Sequence, residues 1–343
     1  MYLYSRRQTK PKRSKLKVKY NNKIFVKINE KVKINVLGIG TLGMGGWILR
    51  DNSRDKECID AIKTAIKLGM THIDTAEVYG NGHTEELIGE AIKDVPRKKL
   101  FITTKVYKNH LHYNDVIQAA KNSLKRMRTN YIDLYLIHWP NHKVSLKETM
   151  KAMDFLVENK LVRFIGVSNF SLNSMKKAQS YTKNKIVANQ VEYNILQRCP
   201  EKNLLDYCQK NGILLIAYRP LAGGKLVRGR NKLLDELCRK YKKTRAQIVL
   251  NWLISKDNVI TIPKASVQHI KENCGAIVWH LSKEDSKKIE KYFWKFWFFS
   301  NLFRKPLRFL GNVAINILPE KNIEKIELSY DNLFRKLRKL HMR

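Results

Sequence analysis

The sequence predicts an α/β protein built as one (β/α)8 TIM barrel, with a hairpin before it and a helical extension after it. Two observations lead there. Strand-like apolar runs alternate with helical patterns eight times along the chain. The residues that close successive strand-like runs are polar, of types that could act together at the C-terminal mouth of a barrel. The length of 343 residues accommodates a barrel of about 250 residues and leaves a segment at each end. A doubly wound open sheet shares the alternation and is the rival.

Residues 1–22 carry eight basic and no acidic side chains and read as a disordered basic arm. A hairpin candidate follows over 23–27 and 32–34. The first barrel strand is NVLGIG, with a helix near 55–68, and the second is THIDTA, with a helix near 84–93. LFITTKV precedes a helix near 114–127, YIDLYLIHW one near 147–158, VRFIGVS one near 172–181, and KIVANQVEYN one near 201–211. ILLIAY precedes helices near 232–241 and 244–256, and VITIPK precedes 268–274 and 283–293. The barrel therefore occupies 23–293. Residues 294–343 form a basic, aromatic extension in which Ile323, Ile326, Tyr330, Leu333, Leu337 and Leu340 recur at helical spacing, one apolar stripe. Docking of that stripe on the barrel is the favoured reading, and association with a partner or contact with an anionic membrane surface is the alternative.

The formal net charge is +37. Such a field favours anionic partners, although a lysine-rich solvated surface explains the body as well, and no specific nucleic-acid site is implied. Five cysteines, Cys58, Cys199, Cys208, Cys238 and Cys274, lie far apart with no C-x-x-C pair. That spacing argues for reduced thiols and against a disulfide framework or a metal site. The positive N-terminus lacks a following apolar region, and Phe296 to Leu318 is broken by Arg304, Lys305 and Arg308. A cytoplasmic protein with neither secretory signal nor membrane span is expected.

Gly38 to Gly43 spells G-x-G-x-x-G, the pattern that cradles a pyrophosphate when its last glycine opens a helix. Here Gly45, Gly46 and Asn52 intervene and no helical pattern starts until about Asp55, so the match is coincidental. The strand ends carry more. Asp74, Lys105, His138, Ser168 with Asn169, Gln190, Tyr218 and Lys264 fall there, and Tyr79 stands five residues past Asp74. A phenol with its ordinary pKa of about 10 exchanges protons poorly at neutral pH, and a nearby lysine cation lowers that value. Lys105 is expected to supply that charge, Asp74 to hold the lysine, and His138 to orient a substrate oxygen. Such a set suits protonation of a carbonyl as hydride arrives.

GIGTLGMGG, HIDTAEVYGNGHTEELIGEAI, FITTKV, YIDLYLIHWP, VRFIGVSNF, VANQVEYN, IAYRPLAGG and IPKAS occur in order over residues 33 to 293. In this the chain resembles the aldo-keto reductases, above all the shorter microbial members. The resemblance implies an NAD(P)H-dependent reductase of small aldehydes and ketones, with Asp74, Tyr79, Lys105 and His138 as catalytic tetrad and Tyr79 as general acid. It assigns Ser168, Asn169 and Gln190 to the nicotinamide carboxamide and Tyr218 to stacking on its ring. Leu221 follows the pyrophosphate loop, Lys264 and Ser266 meet the 2′-phosphate, and Asn273 the adenine, so NADPH is preferred over NADH. Trp139 and Tyr107 line the substrate mouth. The resemblance also admits a cofactor-holding regulatory subunit, a role that basic tails would suit. Ser168 and Asn169 can equally be read as the cap of the next helix. Three departures bear on substrate scope and cofactor choice. Leu42 stands where many members have an aromatic, Arg219 replaces a small hydroxyl residue, and His269 lies five rather than six residues after Lys264.

Overall fold

The computed structural model describes residues 24–264 and 266–294. The basic arm and the stripe from Ile323 to Leu340 lie outside the described residues. Strands β1 (Phe25–Lys27) and β2 (Lys33–Asn35) pair antiparallel as a hairpin, with Val26 opposite Ile34. Then come β3 (Ile39–Gly40), α1 (Asp55–Lys67), β4 (His72–Asp74), α2 (His83–Ile92), β5 (Phe101–Val106) and α3 (Tyr113–Met127). The alternation continues through β6 (Ile132–Ile137), α4 (Leu146–Glu158), β7 (Val162–Ser168), α5 (Leu172–Gln179), β8 (Ile186–Glu192) and α6 (Leu204–Lys210). It ends with β9 (Leu214–Tyr218), α7 (Lys232–Tyr241), α8 (Arg245–Ile254), β10 (Val259–Thr261), α9 (Val267–Cys274) and a helix, α10, over 283–294.

Strands β3 to β10 form one eight-stranded sheet in sequence order, each parallel to the next. Its two edges meet. Gly38 N donates to Thr261 O at 2.9 Å, Thr261 N to Val36 O at 2.8 Å, and Gly40 N to Pro263 O at 3.1 Å. These bonds close the barrel, and the open-sheet rival falls. Only Ile39–Gly40 of the NVLGIG run makes regular ladder, with Leu37 bridging to Thr261.

Alternation along the strands separates two apolar layers. Phe101, Leu134, Leu136, Ala188, Leu214, Ile216 and Ile260 fill the barrel, joined by Val26, Ile28 and Ile34 of the hairpin, which therefore plugs its N-terminal end. Ile73, Ile102, Tyr135, Ile137, Ile165 and Leu215 face the helices. The helices begin where local hydrogen bonding directs. Thr244 and Gln247 make a capping box at α8, and Asn231 Oδ1 accepts from Leu234 N at α7. The predicted helix near 201–211 is split at Asn203, whose φ of −159° separates a turn of 3-10 helix (Cys199–Lys202) from α6. The cap of α5 is Ser171, whose Oγ accepts from Ser174 N, so Ser168 and Asn169 do not serve there. No helix among the described residues is long and apolar enough to cross a membrane.

Candidate active site

Asp74 ends β4 and Lys105 lies on β5, both turned into the barrel and both buried. Lys105 Nζ donates to Asp74 Oδ1 at 2.6 Å and to the Thr75 carbonyl at 2.6 Å. The second carboxylate oxygen of Asp74 accepts from Gln190 Nε2 at 2.6 Å, across the barrel from β8. Burial pushes the Asp74 carboxyl up and the Lys105 ammonium down, and their mutual contact opposes both shifts. Thr41 holds the strand end, its Oγ1 donating to Asp74 O at 2.8 Å.

Tyr79 begins a tight turn, Tyr79–Gly82, between β4 and α2. Lys105 Nζ lies 5.3 Å from the centroid of its ring, and the His138 ring stands edge-on to it at 5.8 Å. Tyr107 presents its own edge to His138 at 6.0 Å. Asp74, Tyr79, Lys105 and His138, from three successive βα units, thus converge on one point. Burial, reinforced by the negative charge of Asp74, raises the pKa of the Tyr79 phenol. This corrects the expectation of a lowered value: the Lys105 charge is engaged by Asp74 and the Thr75 carbonyl, and desolvation prevails. Tyr79 is a protonated donor at rest. Burial, then repulsion by Lys105, takes His138 down to about 3, so its imidazole is neutral.

The next cluster lies at the ends of β7 to β9. Asn169 sits in left-handed backbone at φ 62°, a conformation asparagine tolerates better than most side chains. That turn lets Asn169 Nδ2 donate to the His138 carbonyl at 3.0 Å while Oδ1 accepts from Tyr218 OH at 2.9 Å. Ser168 Oγ donates to the Gln190 carbonyl at 3.0 Å. Ser168, Asn169, Gln190 and Tyr218 therefore form one hydrogen-bonded wall, joined to the Asp74–Lys105 pair through Gln190.

Beyond β10, Ser266 Oγ and His269 Nδ1 are 3.3 Å apart, Leu221 packs at the edge of the outer core, and Asn273 is buried with its Nδ2 unpaired. Lys264 lies over the glycine loop after β3: a methyl group placed on Gly43 would come within 2.8 Å of Lys264 Nζ and 3.1 Å of Trp47 Nε1. Trp139 is exposed at the mouth. So are Trp47, Ile48 and Leu49, which sequence reasoning missed. The signal was an apolar triplet in a glycine-rich loop. Its meaning depended on the bond from Gly80 N to Trp47 O, 3.0 Å, which brings that loop beside Tyr79.

The family model described as the aldo/keto reductase family matches residues 36–293. The chain belongs to the aldo/keto reductase family. This member is 37% identical over 268 residues to the glyoxal reductase of Bacillus subtilis (strain 168), covering 77% of this chain and 91% of that relative. It is 34% identical over 261 residues to methylglyoxal reductase YeaE of Escherichia coli (strain K12), covering 74% and 91%. Among solved structures, a thermostable aldo-keto reductase in complex with the inhibitor epalrestat is 47% identical and superposes with a TM-score of 0.76 over 78% of this chain and 98% of that one. An aldo/keto reductase from Klebsiella pneumoniae in complex with NADP and acetate is 32% identical, with a TM-score of 0.72 over 79% and 95%. This aldo-keto reductase is an NAD(P)H-dependent oxidoreductase of carbonyl groups. The regulatory-subunit alternative is not favoured, because the similar proteins are named reductases.

Its residues fit the cofactor. Amide and hydroxyl groups at the ends of β7 and β8 match a carboxamide, and Tyr218 offers a ring beside them. A cation over Gly43 suits a phosphate, and the buried, unpaired amide of Asn273 has the donor that an adenine nitrogen accepts.

Proposed function

We propose that this enzyme reduces small aldehydes with NADPH, taking 2-oxoaldehydes such as glyoxal and methylglyoxal, and that Tyr79 protonates the carbonyl oxygen. A reduced nicotinamide, when bound, supplies the hydride. The reading rests on one observation, the buried Asp74–Lys105 pair beside the edge-on rings of Tyr79 and His138. A neutral His138 donates an N–H to the substrate oxygen and sets its direction. Tyr79 then gives its proton to that oxygen as negative charge develops there. The phenolate left behind lies beside the Lys105 ammonium, which stabilises it. Ser168, Asn169 and Gln190 hold the carboxamide, Tyr218 stacks on the ring, and Leu221 follows the pyrophosphate. Lys264 and Ser266 face the 2′-phosphate and give NADPH its advantage over NADH, and Asn273 faces adenine. Tyr107 and Trp139 shape the mouth. Five free thiols suit a cytoplasmic location, and the basic termini suit weak contact with anionic surfaces.

The test is NADPH oxidation with methylglyoxal, run on the parent and on Tyr79→Phe. The variant loses about 10² to 10⁴-fold in kcat and keeps its Kd for NADPH, measured by fluorescence titration beside NADH. Full turnover in Tyr79→Phe overturns the assignment of the acid, and equal affinity for the two cofactors overturns the preference.

A further inference from the structure

Glu85 takes no part in the reaction proposed above, yet its placement is costly and specific. It stands on the first turn of α2, fully buried, with both oxygens engaged. Thr104 Oγ1 donates to one at 2.6 Å and Arg126 Nε to the other at 2.6 Å. Arg126 belongs to α3 and is further held by Ser123 Oγ at 3.3 Å. A buried ion pair contributes little net stability, and apolar side chains of equal volume would pack these elements as well. Packing alone does not account for the pair.

Its neighbours do. Thr104 immediately precedes Lys105 on β5, one residue turned toward the helices and the next into the barrel. The Arg126 side chain lies against Gly82, where a methyl group would come within 2.7 Å of its Cδ. Gly82 ends the turn that begins at Tyr79. One carboxylate therefore ties together the strand that carries the lysine, the turn that carries the tyrosine, and α3 behind both. We propose that Glu85, through Arg126 and Thr104, is the positioning residue that sets Tyr79 against Lys105. The inference rests on the reading of Tyr79 and Lys105 as the proton-transfer pair. The charged and titratable groups around it are Arg126, Lys105 with its partner Asp74, and the buried phenol of Tyr135 on β6.

Glu85→Gln keeps the volume and the bond to Thr104 but removes the charge and leaves Arg126 uncompensated. Both changes favour loss of a proton from Lys105 and from Tyr79, so the basic limb of the pH–kcat profile moves down by about one unit. Misplacement of the turn lowers kcat on the order of 10- to 100-fold, with KM for methylglyoxal and Kd for NADPH within twofold. Arg126→Gln, changed at the more accessible partner, lowers kcat similarly and serves if Glu85→Gln does not fold. The double variant Glu85→Gln/Arg126→Gln restores charge balance and returns the basic limb toward its parental position without restoring kcat. A folded Glu85→Gln or Arg126→Gln with parental kcat and parental profile, beside an inactive Tyr79→Phe, overturns this inference alone. An active Tyr79→Phe overturns the proposed function and this inference with it.

Discussion

His72 and His138 show how one residue type serves two ends of the same barrel. His72 packs on Phe101 at the start of β5, with Nε2 3.0 Å from Thr103 Oγ1, whereas His138 follows the end of β6 beside Tyr79. Burial, then the Lys105 charge, takes both down to about 3. An imidazole in the unfolded chain titrates at about 6.5. Between those values the unfolded chain binds a proton that native His72 refuses, so its stabilising effect is complete above about pH 6.5 and is lost on acidification. The slope reaches about 1.4 kcal/mol per pH unit. Denaturant unfolding of His72→Gln at pH 7 and pH 5 should show a flatter acid slope than the parent, and an unchanged slope would reject the account. For the same reason His138 adds no limb near pH 6.5 to the rate profile. That Asp74, Tyr79, Lys105 and His138 would lie together was legible in the sequence because each stands at or just past the C-terminal end of a strand. The direction of the Tyr79 shift was not, because its burial is set by side chains that the closed barrel brings in from distant segments.

Turns and strands differ in how far a sequence discloses them. The eight βα units could be counted because apolar runs and helical periodicity alternate cleanly, and the two ends of the barrel matched through the register of Val36 and Gly38 with Thr261. The break at Asn203 and the cap at Ser171 were hidden, since they depend on backbone angles that many sequences admit. The Tyr79–Gly82 turn is the element where conformation and chemistry meet most closely. Gly80 lies at φ 57°, donates its N–H to Trp47 O, and would place a Cβ 2.3 Å from the Gly45 carbonyl. Gly80→Ala therefore strains the turn and pushes away the glycine loop, at a cost of about 1–3 kcal/mol. Thermal unfolding should shift to lower temperature and kcat should fall while NADPH affinity persists. A variant equal to the parent in both would show that the turn relaxes without consequence.

At the scale of the molecule, the charge of +37 and the barrel belong to different levels of explanation: the field governs what the surface attracts, and the strand order governs where the site forms. The bonds that join Val36 and Gly38 to Thr261 also have a temporal meaning. A ribosome must deliver almost all of the barrel before the first strand finds its second neighbour, so a nascent chain spends most of its synthesis with two unpaired edges. A chain stopped at residue 258 should remain in that condition, eluting as aggregate and binding hydrophobic dye, and a monomeric fragment with native circular dichroism would show that closure is dispensable. In the cell, the interval between the emergence of β3 and that of β10 is when the protein most depends on chaperones. Slowing translation just before β10 should raise that dependence without altering a single contact of the finished enzyme.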